Sequence, residues 1–140
     1  MSNGALPRVV VADDHQPVLD RVVAMLDGEF SVVGTAHDGA EAVEAEASLH
    51  PDVLVLDVCM PGMGGLEAAA RIRHRGSLVP VVCMTAFNEA DLLDAAWDAG
   101  VSGYVAKISL VQDLVPAIRA ALEGRRFVSS RIEPYLQPDR

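Results

Sequence analysis

Five short apolar runs, each followed by a stretch with helical spacing, constrain this chain more than any other feature. The runs are Val9–Ala12, Phe30–Gly34, Val53–Leu56, Val81–Met84 and Gly103–Ala106. Their length and β-branched content suit strands, and their unbroken apolarity requires cover on both faces. Between them lie stretches rich in Ala, Leu, Glu and Arg. In Val18–Leu26 the apolar positions 18, 19, 22, 23 and 26 follow a helical period, and Ala40–Leu49, Leu66–Ile72, Ala90–Ala99 and Leu110–Leu122 behave alike. Five strands alternating with five helices predict an α/β fold, a doubly wound parallel sheet with helices on both faces.

Several boundaries have local causes. Pro17 suits a first helical turn, where no amide hydrogen bond is lost. Ser109-Leu110-Val111-Gln112 matches a capping box, and Asn88 with Asp91 resembles one. Gly100 and Gly124 can supply the left-handed residue that ends a helix. Pro116 is tolerable only near the start of the last helix.

The 140 residues suffice for one domain with a real core, and no second domain fits. We read residues 1–123 as the domain and 124–140 as a tail or linker, because Glu133–Arg140 is proline-punctuated and the charge changes sign. The body carries −11 and the tail +2, giving the net −9. Such acidity argues against nucleic-acid or anionic-membrane binding by this chain. No apolar run approaches the roughly 18 residues of a membrane helix, and Met1–Pro7 lacks the pattern of a signal peptide. Cys59 and Cys83 have neither CxxC nor zinc-ligand spacing, and both are expected to be buried thiols in a reducing cytoplasm. Ten arginines accompany a single lysine, Lys107.

In a parallel α/β sheet the carboxyl ends of the strands form the site. Asp13 and Asp14 follow the first run, Asp57 the third, Thr85 the fourth and Lys107 the fifth. Adjacent acids at a strand end repel unless a cation lies between them, and hard oxygen ligands suit Mg²⁺. Taken alone, Asp13-Asp14 also fits a turn with a helix cap, Thr85 an ordinary strand residue and Lys107 a solvated ammonium. Together the five converge on one edge. His15, His37, His50 and His74 lack ligand spacing, Trp97 reads as packing, and the Arg71/Arg73/Arg75 cluster reads as a solvated face.

These motifs resemble a response-regulator receiver domain over about Arg8 to Glu123. The resemblance is carried by Val9-Val10-Val11-Ala12-Asp13-Asp14-His15, by Asp52–Met63 with Asp57 at its centre, by Met84-Thr85-Ala86 and by Gly103-Tyr104-Val105-Ala106-Lys107. It implies a flavodoxin-like three-layer sandwich of five parallel strands in the order 2-1-3-4-5. It further implies that Asp57 accepts a phosphoryl group from a sensor histidine kinase. Asp13, Asp14, the Asp57 carboxylate and the Cys59 backbone carbonyl would hold Mg²⁺. Thr85 and Lys107 would engage the phosphoryl oxygens, and Tyr104 would be the aromatic switch, turning inward as the Thr85 loop moves. Such a protein catalyses only its own phosphorylation and dephosphorylation, in the cytoplasm.

Some positions depart from the common pattern. Ile108 follows Lys107 where proline is frequent, which together with Gly124–Val128 leans towards receivers joined to helix-turn-helix output domains. Gly64 stands where an acid is common. Cys59 and Phe87 border the path of attacking water, and bulky Phe87 is expected to slow self-hydrolysis. The alternative is an aspartate-nucleophile phosphohydrolase, but that family wants an acid two residues after the nucleophile, where this chain has Cys59. A flavin module would need a phosphate-cradling loop after the first strand. No helix-turn-helix is present, so this chain itself should not read DNA; whether it is a stand-alone receiver or lacks a DNA-binding output domain stays open, as does homodimerisation on phosphorylation through the helix-four to helix-five face.

Overall fold

In the computed structural model, which describes residues 5–86 and 92–130, the chain alternates strand and helix as its apolar pattern demands. The strands are β1 (Arg8–Ala12), β2 (Ser31–Ala36), β3 (Val53–Asp57), β4 (Val81–Thr85), β5 (Gly103–Ala106) and β6 (Phe127–Val128). The helices are α1 (Gln16–Leu26), α2 (Gly39–Leu49), α3 (Gly65–His74), α4 (Leu93–Asp98) and α5 (Leu110–Leu122). All strand pairs are parallel, in the order β2-β1-β3-β4-β5-β6.

Side chains alternate across this sheet and build two cores. Val10, Leu54, Leu56, Val81, Cys83 and Tyr104 meet α2, α3 and α4 through Ala42, Ala68, Ile72 and Ala96. Val9, Val11, Val55, Val82, Met84 and Val105 meet α1 and α5 through Leu19, Val22, Leu114 and Ile118. Every residue of β3 and β4 is buried, which is why their sequences read as continuous apolar runs. The in-line register places Asp57 beside Met84 and Thr85 beside Ala106, so the chemistry-bearing strand ends finish level on one edge.

The expected five strands are six. Phe127 N–H donates to Ser102 O (3.1 Å) and Ser129 N–H to Tyr104 O (3.0 Å), docking β6 on β5. This strand lies within the stretch read from sequence as tail or linker. It is only two residues long, too short for a periodic signal. The second strand also begins at Ser31 and runs on to Ala36, because β2 pairs along β1 as far as Ala12.

Cap chemistry was placed incorrectly at one helix and missed at another. Ser109 makes no side-chain cap. A 3-10 turn, Lys107–Ser109, precedes α5, and the Leu110 N–H bonds to Lys107 O, so the backbone has already satisfied that end. The working cap is on α2, where Asp38 Oδ1 accepts the Glu41 N–H (2.8 Å) and Glu41 Oε1 accepts the His37 N–H (2.8 Å). Gly100 and Gly124 do take left-handed φ of 86° and 78°. Pro116 falls at the seventh residue of α5, deeper than expected, on an exposed position of the helix, and leaves the Gln112 carbonyl without its i+4 amide donor. The Asn88–Asp91 box and Phe87 lie outside the described residues.

Candidate functional site

Burial of the strand ends decides which carboxylates matter. Asp13, just past β1, is fully buried, Asp57 at the end of β3 is 4% exposed, and Asp14 is exposed at the rim. One ligand oxygen from each of the three lies within 4.8 Å of the others. Each buried acid has one oxygen tied down by a local amide and one turned towards the cluster. Asp13 Oδ1 accepts the His15 N–H (2.8 Å), and Asp57 Oδ1 accepts the Cys59 N–H (3.4 Å). The opposing oxygens both face Lys107, whose Nζ lies 2.8 Å from Asp13 Oδ2 and 3.2 Å from Asp57 Oδ2. Apart from that ion pair, Asp13 Oδ2 has no hydrogen-bond donor among the described residues.

Lys107 reaches both because β5 ends at Ala106 and the following 3-10 turn directs its stem across the strand ends. Burial pulls its ammonium towards neutrality, but the Asp13 and Asp57 carboxylates outweigh that and raise its pKa. Asp57 feels the reverse balance. Desolvation by burial and repulsion from Asp13 push its pKa up to about 6, with Lys107 and the Cys59 N–H opposing. Three carboxylates against one ammonium leave a net −2 at one spot, the charge a divalent cation cancels. An all-oxygen donor set carrying this excess of negative charge fits a hard ion such as Mg²⁺.

Thr85 ends β4 fully buried, one strand over from Asp57, and its hydroxyl donates to Ala86 O (3.3 Å). Tyr104 is fully buried in the core facing α3 and α4. The inward turn expected of it on switching therefore starts from a ring already inside, on a strand whose every residue is buried. Cys59 is exposed rather than buried, because it leaves β3 into the loop over the site; Cys83, inside β4, is buried as expected, and burial pushes its thiol pKa up.

Sequence reasoning missed the glycines that let loops approach the site. A Cβ on Gly65 would collide with the Asp57 carbonyl oxygen, and one on Gly39 with the Met63 carbonyl oxygen. Gly64 is similarly confined, its added Cβ 2.7 Å from Val58 O, which gives its departure from the acidic pattern a packing reason. The paired Gly64-Gly65 just before a helical period was the available signal. Arg73 is no solvated residue: Nη2 donates to Gly100 O (2.8 Å) and Nη1 to Ser77 O (3.2 Å). Trp97 does pack, under the Arg126 guanidinium, which lies 4.4 Å from the ring centroid. A groove of about 840 Å³ beside α1 and β2, lined by Leu19, Val23, Phe30 and Val32, lies away from this cluster.

No helix among the described residues is long and apolar enough to cross a membrane. The family model for the response regulator receiver domain matches residues 9–119. Transcriptional regulatory protein PdtaR of Mycobacterium tuberculosis is 39% identical over 132 residues, covering 92% of this chain and 63% of PdtaR. The chain thus spans under two thirds of that relative's length. A LuxR-family two-component response regulator from Aurantimonas sp. SI85-9A1 is similar in structure, with TM-score 0.87, 33% identity, and coverage of 93% of this chain and 94% of that one. RcsB, solved as two dimers bound to two parallel DNAs, matches with TM-score 0.81 and 28% identity over 92% of this chain and 67% of its own. In sequence and architecture alike the chain belongs to the response regulator receiver family of two-component systems, signalling proteins rather than conventional enzymes.

Proposed function

We propose that Asp57 is the phosphoacceptor of this receiver, taking the phosphoryl group from a phosphohistidine of a sensor kinase in the cytoplasm. The observation that carries this reading is the single ammonium of Lys107 spanning Asp13 and Asp57 at the edge where β1, β3 and β5 end. Asp13, Asp14, the Asp57 carboxylate and the Cys59 carbonyl would hold Mg²⁺, which neutralises charge on the transferring group. In the transfer, Asp57 Oδ attacks phosphorus as the P–N bond to the histidine breaks, and the electron pair leaves with the imidazole. Lys107 faces the equatorial charge as a compact cation, and Thr85 offers a hydroxyl one strand away. The product is an acyl phosphate, suited to a reversible signal.

The same contacts would bias the α4-β5-α5 face through Thr85 and Tyr104, a shift between two packings rather than refolding. The RcsB dimers bound to DNA support a DNA-binding output domain outside this chain and dimerisation, and the PdtaR name supports a role in transcriptional regulation. The chain following β6 would then lead from the domain to that output. An aspartate-nucleophile phosphohydrolase is not favoured, since Cys59 stands where its second acid belongs.

Incubation with a small acyl phosphate and Mg²⁺, read by intact mass, tests the reading. One added phosphoryl group that is absent from Asp57→Asn is expected. Labelling that persists in Asp57→Asn, or rapid turnover of unrelated phosphoesters, would refute it.

A further inference from the structure

The segment after α5 touches each element of the α4-β5-α5 face. Arg126 stacks on Trp97 of α4. Phe127 and Val128 pair with Gly103 and Tyr104 of β5, sending their side chains to opposite cores. Ser129 is fully buried. Its N–H donates to Tyr104 O (3.0 Å), its Oγ accepts the Ala106 N–H (3.0 Å), and its hydroxyl donates to Asp113 Oδ2 on α5 (2.6 Å). The serine side chain thus supplies the rung that the backbone of β6 would have supplied had the strand continued. It does so one residue before Lys107 and on both sides of Val105.

We propose that residues 126–129 are a coupling strap, through which the state of the Asp57 site and the docking of β6 on α4, β5 and α5 influence each other. This rests on the phosphoacceptor reading above. A strap that merely covered the sheet edge would need only the β5 ladder. Here it is also fixed to α4 by a cation–π contact and to α5 by a buried hydroxyl–carboxylate bond, so relative movement of those elements must strain or release it. Tyr104 sits on the strand it grips, and Lys107 follows directly after that strand. Coupling of this kind is reciprocal: whatever phosphoryl occupancy does to the strap, loosening the strap does to phosphoryl affinity by the same factor.

The test uses the full chain with Mg²⁺ and beryllofluoride as the phosphoryl mimic, its binding followed by fluorine NMR. Amide exchange is read at Ala106 and Ser129. Saturating beryllofluoride is expected to change exchange at these two amides about fivefold or more, and Arg126→Ala to shift the beryllofluoride affinity by a comparable factor, with Arg126→Lys restoring it. Arg126 is exposed and precedes Phe127, which pairs with the first residue of β5, at the end opposite Lys107, so an effect on affinity cannot come from the site directly. Tight binding with unchanged exchange at Ala106 and Ser129, and parental affinity in Arg126→Ala, would overturn the strap and leave the phosphoacceptor reading standing. Binding that is absent, or equal in Asp57→Asn, would overturn the phosphoacceptor reading and the strap with it.

Discussion

Removing the charge of Asp57 should stabilise this protein when no divalent ion is present. Desolvation and the neighbouring Asp13 hold the Asp57 pKa near 6 against 3.8 for the free side chain, even with Lys107 at 3.2 Å. A carboxyl whose folded pKa is raised favours folding only while protonated. The contribution is therefore neutral below about pH 4, turns unfavourable as pH rises from about 4 through 6, and remains a constant penalty above that. Two pH units correspond to about 2–3 kcal/mol, so Asp57→Asn should gain that amount at pH 8 in EDTA. For a domain of this size the gain amounts to about 6–12 °C in Tm. Urea unfolding read by Trp97, the single tryptophan, measures it directly. The advantage should shrink towards zero at pH 4, where the parent's Asp57 is neutral as well. It should also shrink at pH 8 with millimolar Mg²⁺, which stabilises the ionised parent. A variant no more stable than the parent at pH 8 in EDTA, or equally advantaged at pH 4, would refute the electrostatic account.

Other substitutions probe separate parts of the site and its supports. Lys107→Arg keeps a cation but replaces a point charge meeting two oxygens with a planar fork; stability should change by less than about 1 kcal/mol, while phosphoryl uptake from an acyl phosphate falls about tenfold or more. Normal uptake by that variant would show that charge alone suffices. Gly65→Ala drives a methyl into the Asp57 carbonyl and should cost about 1–3 kcal/mol in urea unfolding together with phosphoryl uptake. Arg73→Met removes the donors to Gly100 O and Ser77 O and should lower stability by about 1–2 kcal/mol, seen as an earlier urea midpoint at unchanged slope.

How much could be read without coordinates depended on how local each cause was. The central strands were legible because β3 and β4 are buried on both faces and cannot avoid apolar runs, and α1 because Leu19, Val22 and Leu26 must share a stripe. The ends of those strands named Asp13, Asp14, Asp57, Thr85 and Lys107 for the same reason, since a polar residue closing such a run is conspicuous. β6 was illegible: two residues carry no period, and its stability comes from Ser129 bonding to residues 16 to 25 positions earlier. The failed cap at Ser109 and the unrecognised one at Asp38 show the same limit, because a matching motif forms only if the incoming chain leaves its amides free.

The sequence by itself determined the alternation of strand and helix, the edge on which the chemistry collects, and the lone lysine suited to serve it. Tertiary structure decided which oxygens Lys107 meets, how far burial and Asp13 raise the Asp57 carboxyl, why Gly65 admits no side chain, and that Arg73 and Ser129 are anchors rather than solvated residues. The division has a physical reason. Periodicity records which side of an element must leave water, whereas contacts, dielectric and charge repulsion arise only when residues far apart in the chain are brought within a few ångströms.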